Sequence, residues 1–431
     1  MIGGVNRIHV RTLLLAFLAI STTRAFDDPS SLDPAFLRIP FTQWLTETGQ
    51  PFVRWTVAVS HPELTFHQRL SANIEFKVDG KDLAPRRGKG QLVFFSQITG
   101  TDGTKYQNHG AIDLAKLDED IRLAYLTYEQ SAFVLPGDYQ LAVAILDTAS
   151  REHTAKQMAF HVANSKKEFA PGIWKDLKPV EMIPAQDAPD SWYLPNMTGR
   201  LHWGAPVRTP VRMEVILNYA APKGAGLNTF LPTLRALAPS WQDGVEANFK
   251  VLDVHGRRLL YRQNKVRELD WPALRDSLSG QNTATVDVKA LGERHRDAQF
   301  FVNEVGRSLR SMEQAPCLLL VLSNPISFED GEDLSSISTE GKSACEVIYI
   351  RAHSPRVNRP IYPEPGLRGG RRGRFGGGGP MGPVRGVNPR GPEFDQLANT
   401  LKSLNPKIFD VTTPDEMSKI FADIYRTLFA R

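Results

Sequence analysis

The chain has 431 residues, 41% of them hydrophobic, which suits two to three domains with buried cores and excludes a chain too polar to fold. The formal net charge of +5 is set by two local segments. Residues 1–25 hold three arginines and residues 366–391 six, with no acid in either, so the remainder is net acidic and the charge gives no support to a basic nucleic-acid or membrane footprint on the folded domains.

The N-terminus reads as a secretory signal over residues 1–25. Arg7 and Arg11 form a basic flank, an apolar run follows at 12–20, and Thr23-Arg24-Ala25 offers a cleavage site between small residues. The run is too short to span a bilayer, and no other stretch is apolar enough to do so. The expectation is an exported protein, secreted or periplasmic, with no membrane span.

Residues 26–165 read as an all-β module. Val53, Trp55, Val57 and Val59 alternate with small or polar residues, as do Ile74, Phe76 and Val78, then Tyr139, Leu141, Val143 and Ile145, then Met158, Phe160 and Val162. A period of two marks strands with one face buried. Their number and turn punctuation suggest an immunoglobulin-like sandwich, without the cysteine–tryptophan–cysteine signature of antibody domains.

Residues 166–206 form a connector punctuated by Pro171, Pro179, Pro184, Pro189, Pro195 and Pro206. Proline fixes φ and removes a donor, so neither a long helix nor a central strand fits. Trp174, Trp192, Tyr193 and Trp203 imply that the connector packs on a domain.

From 207 to 431 strands and helices alternate. Strands are expected at 211–217, 247–252, 283–288, 318–322, 346–350 and 407–411, and helices near 229–240, 272–278, 298–312, 394–404 and from Pro414 to the end. Thr413-Pro414-Asp415-Glu416 is a capping box with proline in the first helical position. This order predicts a mostly parallel, doubly wound α/β sheet of Rossmann type. Eleven glycines lie within 366–391, a composition that reads as a disordered insertion. Cys317 and Cys345, the two cysteines, each precede an apolar run. If those runs are neighbouring parallel strands, the thiols share one sheet edge, either as a disulfide or as two separate buried thiols.

The order of elements over 207–431, with the closing stretch from Ile408 through Thr413-Pro414-Asp415-Glu416-Met417 to Phe421, resembles the last strand and helix of von Willebrand factor type A domains, as found in exported bacterial proteins. The resemblance implies a metal-ion-dependent adhesion site of Asp-x-Ser-x-Ser form after the first strand. Those positions fall here at Asn218, Ala220 and Pro222, and the later Ser-Asp-Gly reads Ser323-Asn324-Pro325. A hard cation wants several carboxylate or hydroxyl oxygens, and most are gone. The expectation is therefore a degenerate site with no metal and no cofactor, whose loops, Asn218, Tyr219, Ala220, Ser323 and Asn324, bind a protein partner.

No nucleophile elbow, phosphate loop or dinucleotide fingerprint occurs, and the histidines lack zinc spacing. The chain thus reads as a non-enzymatic, exported interaction protein without catalytic residues and without a nucleic-acid partner. Two alternatives stand beside it: an exported hydrolase with an unrecognised site, and a polyanion binder acting through the Arg/Gly segment.

Overall fold

A computed structural model describes residues 33–164, 168–183, 197–204, 210–219, 227–241, 244–279, 295–312, 316–326, 345–353 and 395–429. The signal segment, the 366–391 insertion, the strand expected at 283–288 and Ala220 lie outside them.

The strands in chain order are β1 (Trp55–Val59), β2 (Glu63–Leu64), β3 (Leu70–Asp79), β4 (Gln91–Thr99), β5 (Lys105–Asp113), β6 (Tyr125–Val134), β7 (Gly137–Asp147), β8 (His153–Val162), β9 (Val180–Ile183), β10 (Val211–Asn218), β11 (Val245–Asp253), β12 (Arg258–Val266), β13 (Cys317–Ser323), β14 (Cys345–Ala352) and β15 (Lys407–Val411). The helices are α1 (Phe41–Trp44), α2 (Gly80–Leu83), α3 (Leu227–Leu237), α4 (Trp271–Ser279), α5 (His295–Ser311), α6 (Gln396–Leu401) and α7 (Pro414–Phe429).

The N-terminal half is two antiparallel sheets packed face to face. One has the order β1-β3-β6-β9 with β2 on β3, the other β5-β4-β7-β8. Their inward rows meet at Phe76 against Phe94, with ring centroids 5.2 Å apart, and Phe94 stacks on Tyr128 at 4.4 Å. Aromatic pairs of this kind add about 0.5–1.5 kcal/mol beyond the area they bury. The sheets also enclose one polar pair, in which Ser96 Oγ donates to Gln130 Oε1.

The third sheet has the order β12-β11-β10-β13-β14-β15. β11, β10, β13, β14 and β15 run parallel to one another, and β12 is antiparallel to β11. Side chains alternate between faces. Val215, Leu217, Leu318, Leu320, Leu322 and Ile350 belong to the large core with α3, α4 and α7, whereas Ile216, Leu319, Val321 and Tyr349 pack with α5 and α6. One buried ionic group pins α5 to the sheet: Lys250 Nζ lies 3.1 Å from Glu214 and 3.6 Å from Glu304, and Ser308 Oγ donates to Glu214 at 3.0 Å. Burying such charges is tolerated because each is paired.

This architecture corrects the fold class expected from the sequence, an immunoglobulin-like sandwich followed by a doubly wound Rossmann-type α/β domain. Among the described residues strand outweighs helix, 41% against 29%, in three antiparallel or mixed sheets with seven helices. The strand–helix alternation fails at its second step. After β11 the chain turns at once into β12, through a turn in which Asp253 Oδ1 accepts from Gly256 N at 2.8 Å and Arg257 takes a left-handed φ of 49°. A tight turn returns the chain antiparallel, whereas a helical crossover would have returned it parallel. Polar residues along Arg258–Val266 hid this strand, since an exposed edge carries no apolar rhythm.

The two cysteines are bonded. Cys317 and Cys345 are register partners on β13 and β14, with Cα atoms 4.4 Å apart. Among the described residues no helix is long and apolar enough to cross a membrane.

Candidate functional site at the carboxyl edge of the third sheet

The strands of the third sheet end together, and their ends form one polar row. Asn218 is the last residue of β10 and pairs with Leu252, Ser323 ends β13 and pairs with Arg351, and Arg351 pairs with Asp410. Asn218, Ser323 and Arg351 lie two residues beyond Ile216, Val321 and Tyr349, which face α5 and α6, so a strand's period of two puts the row on that same face.

Two of the expected site residues meet here. Asn218 Nδ2 donates to Ser323 Oγ at 2.8 Å, and Ser323 Oγ donates to the Asn324 carbonyl at 2.6 Å. The amide oxygen of Asn218 receives Val254 N–H at 3.4 Å. Both side chains are buried, and their polar atoms are directed at each other and at the backbone. Tyr219 is not brought to them. Its N–H donates to Leu252 O at 2.7 Å, and its ring packs against the large core on the opposite face. Asn324 is half-buried, and its Oδ1 is enclosed without a hydrogen-bond partner in the protein.

The rest of the row was not anticipated. Tyr349 Oη donates to Asp395 Oδ2 at 2.9 Å, and Asp395 Oδ1 accepts from Ile326 N at 3.3 Å. Arg351 lies 3.5 Å from Asp395 and 2.7 Å from Asp410, and His353 Nε2 lies 2.6 Å from Asp410. Burial pushes the Tyr349 phenol well above its ordinary pKa, and the Asp395 carboxylate pushes it further. Burial pushes Asp410 up as well, but hydrogen bonds from His353 and Arg351 outweigh it and hold that carboxyl below the usual range. Tyr349, Arg351 and His353 follow one another at every second position on from Val347. A polar stripe of period two closing an apolar strand was the signal available in the sequence.

A second polar group sits past the end of β11. His255 Nδ1 lies 3.0 Å from Asp297 Oδ2, and Arg257 Nε lies 3.9 Å from Asp297 Oδ1. Asp297, in the first turn of α5, is buried. An acid there is favoured by the helix dipole, and the two bases make its burial tolerable.

Among the described residues, the donor chemistry of this edge does not fit a hard divalent cation. The carboxylate expected first is an amide, whose nitrogen faces the Ser323 hydroxyl, and both are used internally. The two described carboxylates of this row, Asp395 and Asp410, are paired with the Arg351 guanidinium, a positive charge within the same row. Among the described residues no group of three or more histidine, cysteine or acidic side chains could hold a metal ion.

No family model matches the chain. No curated protein matches it either. A solved structure titled "X-ray structure of Northeast Structural Genomics Consortium target SoR45" is similar over 27% of this chain and 90% of that one, at 13% identity and a TM-score of 0.17, and no argument about fold or function rests on it.

Proposed function

We propose that this is a non-enzymatic exported protein that binds another protein at the carboxyl edge of its third sheet, through a site that works without a metal. The observation that carries this reading is the Asn218–Ser323 hydrogen bond of 2.8 Å. It ties up the Asn218 side chain, which stands where an ion-dependent adhesion site would place its first carboxylate. The likeness to exported von Willebrand A-related proteins is part of the same proposal, and it supplies the contrast between a gripped ion and a self-satisfied edge. In open sheets, ligands are met at the carboxyl ends of parallel strands, because the connecting loops gather there. The groups this edge offers to a partner are the half-buried Asn324 amide, the imidazole of His353 and the half-exposed Asp410 carboxylate. Such a mixed polar rim suits the periphery of a protein interface.

Affinity capture from the exported fraction tests this. Wild type is expected to retain a defined protein set that Asn324→Ala and His353→Ala lose, with all three chains equally folded by circular dichroism. Equal retention by all three would refute the assignment of the binding face. Turnover of ester, peptide or glycoside substrates that one substitution abolishes would refute the non-enzymatic part.

A further inference from the structure

The third sheet has two outer strands, and they treat their charges differently. On β15 the charges are used within the protein: Lys407 pairs with Glu346 at 2.6 Å, and Asp410 pairs with Arg351 and His353. On β12 and just past it most are not. From Val254 to Arg267 the chain holds five arginine or lysine residues and no acid, a local reversal in a remainder that is net acidic. Arg258 pairs with Asp253 at 2.7 Å, and Arg257 lies 3.9 Å from Asp297. Arg262, Lys265 and Arg267 are exposed, and among the described residues none of the three pairs with an acid. Arg262 Nε donates to the neutral Asn264 amide at 3.0 Å.

The backbone of β12 is open on the same side of the sheet. It pairs with β11, and among the described strands nothing pairs with its other edge. Leu252 of β11 turns its carbonyl toward β10, where it accepts Tyr219 N–H at 2.7 Å. The N–H and C=O of one strand residue point the same way, so Leu252 faces away from β12. Its partner Leu259 therefore sits at a non-hydrogen-bonded position and directs its own N–H and C=O outward. The Leu259 side chain shares the face of Leu252, which packs with α5 and α6, yet it is 44% exposed. Leu260 and Tyr261 pack on the large core with Leu274 and Leu278 of α4.

We propose that the outer edge of β12 is a second docking surface, which takes an extended acidic segment of another protein as an added strand. Main-chain hydrogen bonds at Leu259 supply the pairing, an apolar side chain of the segment covers Leu259, and its carboxylates meet Arg262, Lys265 and Arg267. Charges and bulges on an edge hinder pairing between copies, and β12 has both, with register shifts at Ala247/Phe249 and Val251/Leu252. Two β12 strands side by side would set cation against cation, which disfavours a second copy and favours a strand of opposite sign. This surface uses none of the side chains of the carboxyl-edge row, so either assignment can fail without the other.

Fluorescence anisotropy on the full chain tests it with a labelled peptide of about eight residues, alternating glutamate and valine. The comparisons are the same peptide with alternate amides N-methylated, a lysine–valine peptide and a heparin fragment. The acidic peptide is expected to bind, more weakly as salt rises, and to slow hydrogen exchange at the Leu259 amide. N-methylation, Leu259→Pro and the triple variant Arg262→Gln/Lys265→Gln/Arg267→Gln should each weaken it about tenfold or more, and the lysine peptide should bind less well still. The triple variant alters only exposed side chains and decides the matter if Leu259→Pro does not fold. No binding of the acidic peptide, or equal binding of its N-methylated form, would overturn the added strand. So would a heparin fragment that binds more tightly with the same dependence on Arg262, Lys265 and Arg267, since the contact would then be one of charge alone. A Leu259 amide as protected before the peptide is added as after, or a dimer that Leu259→Pro breaks, would show the edge already paired and overturn it too.

Discussion

The two ends of β13 and β14 solve the same problem in opposite ways. At the amino end Cys317 and Cys345 face each other in register and are joined covalently. At the carboxyl end of the same pair Ser323 faces Arg351, and the strands are joined to their neighbours through Asn218, Tyr349, Asp395 and Asp410 by hydrogen bonds and ion pairs. A disulfide stabilises mainly by restricting the unfolded chain, and it has one geometry. A buried polar network holds only while every member is satisfied, and each member can be re-paired. The difference teaches where this sheet is fixed and where it can respond to a partner.

The sharpest way to break that comparison is Arg351→Met. It leaves the buried Asp395 carboxylate without its cation, and the expected loss is about 3–5 kcal/mol in urea unfolding. A loss below about 1 kcal/mol would mean that the row is not a mutually dependent unit. Next comes the covalent end. Replacing both Cys317 and Cys345 by alanine should lower stability by about 2–4 kcal/mol, with little effect on any partner bound at the other edge. Asn218→Asp sharpens the contrast from the polar side. It replaces the donor to Ser323 by an acceptor and buries a charge, for an expected loss of about 1–3 kcal/mol.

The smallest effect lies at the cap of α7. Thr413 Oγ1 accepts from Glu416 N at 3.3 Å, and Glu416 Oε2 accepts from Thr412 N at 2.7 Å and Thr413 N at 3.1 Å. Thr413→Ala should cost about 1 kcal/mol. The amide of Thr412 and its hydroxyl hold the Glu416 carboxyl below its ordinary value of 4.5, against a smaller opposing effect of burial. Its contribution is thus full above pH 4.5 and is lost as pH falls through the lower folded-state value. Urea midpoints followed across that range should fall more steeply for wild type than for Glu416→Gln.

Legibility in the sequence tracked burial. The alternating strands of the N-terminal half and the apolar runs of β10, β13 and β14 were visible, because a core dictates one face or two. The α7 start was visible through its capping box. The hairpin strand β12 was not, because an exposed edge strand obeys no apolar period, and the expected fold class failed with it. At the carboxyl edge Asn218 and Ser323 were legible from their place at strand ends. Tyr219 was grouped with them by adjacency, yet successive residues of a strand face opposite ways, and its ring went to the other side. Asp395 could not be found from the sequence at all. It reaches Tyr349, Arg351 and Ile326 only through the three-dimensional return of the chain.

The central claim is that Asn218 and Ser323 satisfy each other at this edge and that it holds no divalent cation. The direct measurement is the melting temperature of the intact protein through a titration of Mg²⁺, then Mn²⁺, each against a chelator control. A cation bound to the folded state at a hundredfold excess over its dissociation constant would add about 2.7 kcal/mol, a shift of several degrees. The account predicts overlapping melting curves throughout both titrations. A saturable rise that Asn218→Ala or Ser323→Ala removes would contradict it.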